Sequence, residues 1–352
     1  LDFSEYMALA LYAPGLGYYS AGAARFGAAG DFVTAPELGP QLAHGIAGLA
    51  ERLSASLGRI EVLELGAGSG ALAADLLADC HARGCLPERY RIVEVSADLR
   101  EAQRRRLTAQ VPELSARVEW LDELPSSVDG LVLANEVMDA LPCSRFEICD
   151  GAPRPLGVAA MDDGFGWSVA PPGRQPDSRL AARLAALPAL PETYRSEYCA
   201  MLPGWLTSLG ETLQRGALLL GDYGCSRRDY YSPGRHDGSL LCYYRHTAHA
   251  DPFRWPGLQD ITAWVDFTAV AEALSAAGLK LDYYTTQAQF LIAHGLADAG
   301  HPASDLDRAQ QAAVLRQLLM PGEMGEHFKY LLASRGVELA VPAGLRDFAH
   351  QL

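Results

Sequence analysis

The sequence predicts an α/β fold around a mostly parallel sheet, and three observations carry that prediction. Short apolar runs alternate with helical patterns from Ile60 onward; the first run ends in a glycine-rich string that opens a helix; later runs end in the polar clusters Asn135-Glu136 and Asp222-Tyr223-Gly224. Strands that alternate with helices form a parallel sheet, and ligands gather outside the carboxyl ends of its strands. The 352 residues are about twice a ~150-residue domain, so one large domain with insertions or two domains are expected.

Residues 1 to 40 read as irregular, because Leu11-Tyr12-Ala13-Pro14-Gly15-Leu16-Gly17-Tyr18-Tyr19 and Gly30-Asp31-Phe32-Val33-Thr34-Ala35-Pro36-Glu37 are punctuated by Gly and Pro. From Leu38 to Leu57 apolar residues recur at helical spacing, and Gly58 ends that helix. A strand at Ile60 to Leu65, a helix at Leu72 to Cys85 and a strand at Tyr90 to Val95 follow. Next come a helix at Ala97 to Gln110 and strands at Val118 to Leu121, Gly130 to Ala134 and Gly216 to Gly221. The remainder reads as a helix (Thr268 to Ala277), a strand (Leu279 to Thr285), two helices (Ala288 to Gly295, Ser304 to Leu319) and a strand (His327 to Ala333). Two stretches interrupt the alternation. Residues 150 to 205 carry the loop Pro171-Pro172-Gly173 and an Ala/Leu/Arg helix. Residues 225 to 267 are rich in Tyr, His, Arg, Trp and Asp without clear periodicity, which suits a lid or binding loop. Tyr230, Tyr231, Tyr243 and Tyr244 there either pack a peptide or fill a core, and the former is favoured slightly.

Composition narrows the function. Hydrophobic residues at 49% and charged residues at 20% are ordinary globular values, which removes disordered, collagen-like and coiled-coil classes. No apolar run approaches the ~20 residues of a membrane span, so a soluble protein without membrane insertion is expected. Acidic residues outnumber basic ones 43 to 29, a formal charge of −14 that repels a phosphate backbone, so nucleic acid is not expected as a partner. The short runs Arg104-Arg105-Arg106 and Arg227-Arg228 read as solvated surface. Seven cysteines with no C-x-x-C pair favour reduced thiols and a cytoplasmic location; a leader ahead of Leu1 would instead imply the mitochondrial matrix.

The strongest local signal is Glu64-Leu65-Gly66-Ala67-Gly68-Ser69-Gly70, set between a strand and a helix. Glycines let backbone approach a ligand, and the helix that follows offers unpaired N–H groups. A tight turn without a ligand is the alternative. Gly66, Gly68 and Ala71 also fit a dinucleotide fingerprint, with Glu94 where a ribose-binding acid belongs, so a dehydrogenase has to be weighed. Glu64 tips the choice, as in the E/D-x-G-x-G-x-G pattern: a carboxylate repels pyrophosphate but attracts the ammonium group of S-adenosylmethionine. Gly66, Ala67, Gly68 and Gly70 then lie against that cofactor. Glu94, followed by Val95, can accept both ribose hydroxyls, or it is a solvated strand-end acid. Leu121 and Asp122 stand where adenine contacts are expected.

Asn135-Glu136-Val137-Met138-Asp139 follows the fourth strand. Glu136 and Asp139, three residues apart, can clamp a planar guanidinium, or they are acids favoured at a helix N-terminus. Asn135 falls on the cofactor side and lacks the Asn-Pro-Pro-Tyr sequel of amino-methylating nucleic-acid enzymes. His246, His249 and Asp251 invite a metal reading, but no predicted helix presents two imidazoles on one face and no further ligand is evident, so no metal is expected. His246 is a base or hydrogen-bond donor, or a plain loop histidine.

These residues, together with Tyr6-Met7, Gly17-Tyr18-Tyr19, Gly30-Asp31-Phe32 with Thr34, Asp139-Ala140-Leu141-Pro142, Gly257 to Thr262, Val265-Asp266-Phe267, Gln287, Phe290-Leu291, Met324-Gly325 and Phe328-Lys329, resemble the MidA-like family over nearly the whole chain. The resemblance implies a class I S-adenosylmethionine-dependent methyltransferase fold, Rossmann-like with a mostly parallel seven-stranded sheet. It implies an N-terminal extension at 1–57 and a catalytic domain at 58–352, with insertions at about 150–205 and 225–267 on the substrate side. It also implies methyl transfer to an arginine guanidino nitrogen of a protein, of the kind found in a respiratory complex I subunit. Methylation of RNA or a small molecule, and a non-catalytic assembly chaperone, are the alternatives. Glu136, Asp139 and His246 are then the catalytic candidates, and Thr34, Glu37, Asp222, Tyr223, Asp260 and Asp266 the substrate-side ones. Ser239-Leu240-Leu241 departs from the glycine-then-arginine expected in many relatives.

Overall fold

The computed structural model describes residues 1–20, 34–169, 178–296 and 305–352. The motif residues Gly30, Asp31 and Phe32 and the loop Pro171-Pro172-Gly173 lie outside the described residues. By contact density the chain divides into two compact units, one of Val33–Val137, Trp205–Tyr223 and Ala271–Leu352, the other of Leu1–Phe32, Met138–Gly204 and Gly224–Val270.

The first unit is built on the alternating apolar runs. They become strands β1 (Glu61–Leu65), β2 (Tyr90–Val93), β3 (Val118–Leu121), β4 (Val128–Asn135), β5 (Leu213–Cys225), β6 (Lys280–Thr286) and β7 (Phe328–Arg335). Their order is β6-β7-β5-β4-β1-β2-β3, and a two-residue strand, Val265–Asp266, pairs with the end of β5. β1 to β5 pair in parallel, and β7 runs antiparallel to both its neighbours. This mostly parallel seven-stranded order is the one the resemblance implies. Helix Gln41–Leu57 buries Leu42, Ile46, Leu49 and Leu53, a stripe at helical spacing, in a core shared with Val62, Ile92 and Leu131. Gly58, at φ +83°, ends that helix as expected.

Register decides where ligands can be met. Leu65 pairs with Val93 and with Ala134, Val93 with Leu121, and Asn135 with Gly221. The segments after β1, β2, β3 and β4 and the Asp222-Tyr223 end of β5 therefore leave one edge of the sheet together.

The second unit departs most from what the sequence leads one to expect. Phe3–Tyr12 is a helix, not an irregular segment. Asp2 accepts the Ser4 N–H at 3.0 Å while Glu5 accepts the Asp2 N–H at 2.8 Å, a reciprocal cap. The Gly/Pro punctuation begins only at Pro14, after that helix has buried Phe3, Met7 and Leu11. Gly17 is then forced: a Cβ there would stand 2.6–2.7 Å from backbone atoms of Leu11, Tyr12 and Ala13.

Residues 144–198 hold a four-stranded antiparallel sheet in the order Gly164–Val169, Ala152–Met161, Ser144–Cys149, Arg195–Tyr198, where the sequence suggests a loop and a helix. Helix Ser178–Ala185 is present beside it. The hairpin turn is Asp150-Gly151, both at positive φ, the turn that suits strand twist. Pro153 and Pro155, residues that argue against a strand, hide it from a pattern reading. Residues 225–267 contain a three-stranded antiparallel sheet of Thr247–His249, Leu241–Tyr244 and Asp260–Thr262. Tyr230 and Tyr231 are buried with Phe146, Ile148 and Tyr194, so these two fill a core and do not face a peptide; Tyr243 and Tyr244 are half-buried.

The basic runs are also not simply solvated. Arg106 pairs with Glu37 at 3.0 Å, Arg104 lies 4.7 Å over the Trp120 ring, and Arg227 pairs with the buried Asp266 at 3.1 Å. Among the described residues no helix is long and apolar enough to cross a membrane.

Candidate active site

The glycine loop begins one residue beyond β1. Gly66, Gly68 and Gly70 sit at φ +64°, +52° and +84°, the left-handed region open chiefly to glycine, and helix Ala71–Ala82 starts directly after them. A Cβ on Gly66 would come within 3.0 Å of Val137, and one on Gly70 within 3.2 Å of Gln103, so the loop has no room for side chains at these points. Glu64 is buried at the end of β1 and accepts the Tyr90 hydroxyl at 2.6 Å. Burial pushes its carboxyl up to about 7 against that hydrogen bond, with the Glu94 charge adding to the rise. Glu94, also buried, accepts the Ser96 N–H at 2.9 Å and the Gln103 amide at 3.2 Å; burial raises its carboxyl too. Two buried carboxylates whose charge is penalised fit a ligand that brings an ammonium group to one and hydroxyl donors to the other.

The neighbouring candidates are placed as follows. Val95 is exposed beside Glu94, and Leu121 is half-buried. Asp122 is largely exposed and pairs with Arg100 at 2.6 Å. Thr34 precedes the short helix Ala35–Leu38. Glu37, expected on the substrate side, accepts both terminal nitrogens of Arg106 at 3.0 and 3.2 Å and the hydroxyl of Ser69 within the glycine loop.

After β4 the chain turns sharply. Glu136 has φ +55°, rare for a non-glycine residue, and its N–H bonds the Gly221 carbonyl at 2.9 Å. Its carboxylate accepts the Asn135 side-chain amide at 3.1 Å, and Asn135 in turn accepts the Tyr330 hydroxyl at 2.8 Å. Burial, then the charges of Glu136 and Asp222, push the Tyr330 phenol well up. Gly221 makes the arrangement possible, since a Cβ there would stand 2.4 Å from the Tyr330 ring and 2.9 Å from the Asn135 oxygen. Asp222 is fully buried, and the Tyr223 and Phe328 rings lie 4.2 Å apart with their planes tilted by 53°.

The remaining candidates belong to the second unit. Asp260 is buried and accepts the Tyr19 hydroxyl at 3.0 Å; Tyr19 stacks on Tyr12 at 5.6 Å. Burial raises the Tyr19 phenol, and the charges of Asp260 and Asp139 add to the rise, so those carboxylates share one aromatic neighbourhood. Asp266 bonds Arg227 and accepts the Ala269 N–H at 3.1 Å in the first turn of helix Phe267–Ala276. His246 is exposed at a hairpin tip, where it and Arg245 both have positive φ, and Asp251 donates its N–H to His249. Among the described residues no His, Cys, Asp or Glu group suited to hold a metal is gathered.

Gln103, Tyr330 and Tyr19 escape the sequence reading. Only Tyr19 stood in a motif; the others bond partners in distant segments that no local pattern announces.

The S-adenosyl-L-methionine-dependent methyltransferase family matches residues 42–285. The chain is similar to Protein arginine methyltransferase NDUFAF7, mitochondrial, of Danio rerio, 28% identical over 378 residues and covering 97% of this chain and 85% of that protein. It is similar to the NDUFAF7 homolog of Drosophila melanogaster, 29% identical over 380 residues, with 96% and 82% covered. Among solved structures, a Burkholderia thailandensis protein bound to S-adenosyl-homocysteine superposes with a TM-score of 0.94 at 42% identity, covering 100% of this chain and 92% of that one. The cofactor is S-adenosylmethionine.

A pH dependence follows. Were the ligand's ammonium group to lie at Glu64, it would favour the ionised carboxylate, and S-adenosyl-homocysteine binding would release a proton and strengthen about tenfold from pH 6 to 8. Calorimetry in buffers of different ionisation enthalpy measures this, and Glu64→Gln should flatten it. For the unliganded protein the sign is opposite: a carboxyl raised on folding stabilises below its unfolded value of about 4.5, and that contribution is lost as pH rises through 7.

Proposed function

We propose, from the premise that this chain belongs to the MidA-like family of S-adenosyl-L-methionine-dependent methyltransferases, that its methyl acceptor is an arginine guanidino nitrogen of a protein substrate. The observation that carries this reading is Glu136: an acid held at a left-handed backbone position directly after β4, its carboxylate oriented by Asn135, with Asp222 one residue beyond the Gly221 that pairs with Tyr330. Strain of order 1–3 kcal/mol at a non-glycine residue persists where the surroundings enforce it, commonly at functional sites. The similarity to arginine methyltransferases of Danio rerio and Drosophila melanogaster supports the same acceptor.

Bound S-adenosylmethionine supplies an electrophilic methyl group. The protein's part is alignment, charge and dryness. Glu136 would accept two guanidinium N–H groups in one plane, which fixes the direction from which the third nitrogen presents its lone pair. The acids lower the cost of bringing a cation out of water, and the proton freed from the methylated nitrogen passes to a carboxylate. Glu136 and Asp139 are assigned that role ahead of His246, whose ring stands at an exposed tip.

Incubation with labelled S-adenosylmethionine and whole-cell lysate, followed by residue identification, tests this. Label on a protein arginine supports the proposal, and a respiratory complex I subunit is the acceptor we put first. Label confined to RNA or small molecules changes the acceptor class, and binding without any transfer favours the chaperone alternative.

A further inference from the structure

Helix Ala97–Gln110 carries Arg100, Gln103 and Arg106 three residues apart, hence on one face. Each reaches a different part of the cofactor side. Arg100 donates to the carbonyls of Glu94 and Leu121 and to Asp122. Arg106 holds Glu37, which accepts the hydroxyl of loop residue Ser69. Between them Gln103, fully buried, donates from its amide nitrogen to the Gly68 carbonyl at 3.0 Å and to the Glu94 carboxylate at 3.2 Å. Its oxygen accepts the Trp120 indole N–H at 2.8 Å.

This pattern admits one orientation of the amide. Turned over, its oxygen would face two acceptors and its nitrogen the indole donor. Both amide hydrogens are thus spent on the two elements expected to touch the cofactor, one on the methionine side and one on the ribose side. β1 and β2 are paired up to Leu65 and Val93, and the Gly66 N–H bonds the Val93 carbonyl at 3.3 Å; Gln103 adds a side-chain link beyond that pairing, between Gly68 and the Glu94 carboxylate.

We propose that Gln103 is a positioning residue for S-adenosylmethionine: its amide locks the Gly68 carbonyl and the Glu94 carboxylate into a single register before the cofactor arrives. An arrangement already ordered spares binding the entropy of ordering it. The proposal rests on the cofactor being seated at the Gly66–Gly70 loop.

Calorimetric titration of the full chain with S-adenosyl-homocysteine, paired with thermal unfolding, tests it. Gln103→Met keeps length and apolar volume but removes both donors. Its dissociation constant should rise about tenfold or more, as expected for losing a hydrogen bond to a charged group; the ligand-free melting point should fall modestly, because the Glu94 carboxylate and the Trp120 indole lose a partner, and the ligand-induced rise should shrink. Gln103→Glu, which aims a third acceptor at two others, should lose more. Trp120→Phe removes the third contact of Gln103, leaves both its donors in place and keeps an aromatic ring beneath Arg104, and should bind within about threefold of wild type. Unchanged affinity in Gln103→Met overturns the proposal. So does an equal loss in Trp120→Phe, or a sharp fall in ligand-free melting point with a full ligand-induced rise, since either marks Gln103 as packing. If Gly68→Val binds as tightly as wild type, the seat of the cofactor itself fails, and the proposal with it; wild-type affinity in Gln103→Met alone leaves that seat intact.

Discussion

Gly68→Val will abolish binding of S-adenosylmethionine and S-adenosyl-homocysteine while the fold survives. Gly68 has φ +52°, where a β-branched side chain is a severe misfit, and its carbonyl is anchored by Gln103 so the loop cannot simply rotate away. The added methyl groups would stand where backbone must approach the ligand. The position lies in a loop at the strand-end edge, outside the apolar core, so the cost falls on binding more than on folding. Calorimetry should detect no binding heat, with a circular dichroism melt still cooperative. Retained affinity would remove the glycine loop from the cofactor site.

Glu136→Gln should lower turnover on an identified acceptor by on the order of 10²-fold or more, with little change in S-adenosyl-homocysteine affinity. The substitution nearly conserves shape, and the side-chain oxygen can still accept from Asn135. That leaves the new amide directing its hydrogens at the hydrogens of the guanidinium, while the charge that offsets the cation is gone. An interaction used to orient the acceptor shows this pattern: chemistry suffers and cofactor binding does not. Wild-type turnover would refute the clamp, and lost cofactor affinity would move Glu136 to the cofactor side. Asp139→Asn measures whether a second acid shares the load; a loss as large as that of Glu136→Gln would say that it does.

The central sheet was readable almost strand by strand. Val118–Leu121 stands where the apolar run placed it, and β1, β2 and helix Ala97–Gln110 differ from expectation by at most two residues at an end. The glycine loop was equally plain. These features are local: burial on one side of a helix or both faces of a strand imposes a period on neighbouring residues, and a left-handed turn demands glycine where it occurs. The four-stranded sheet of the second unit was not legible, because its strands carry Pro153, Pro155 and the buried pair Arg145 and Glu197, which break the apolar period that marks a strand.

The sequence by itself determined the fold class, the glycine-rich turn after β1 and the placing of carboxylates at the strand ends. Only the tertiary structure decided how those carboxylates are used. Tyr330 reaches Asn135 across 195 residues, Tyr19 reaches Asp260 across 241, and Glu37 accepts from Arg106 and Ser69. The physical reason is that a buried polar group must find a partner, but nothing in its own segment says which. That partner is set by strand order and register, and so it exists only once distant segments have been brought side by side.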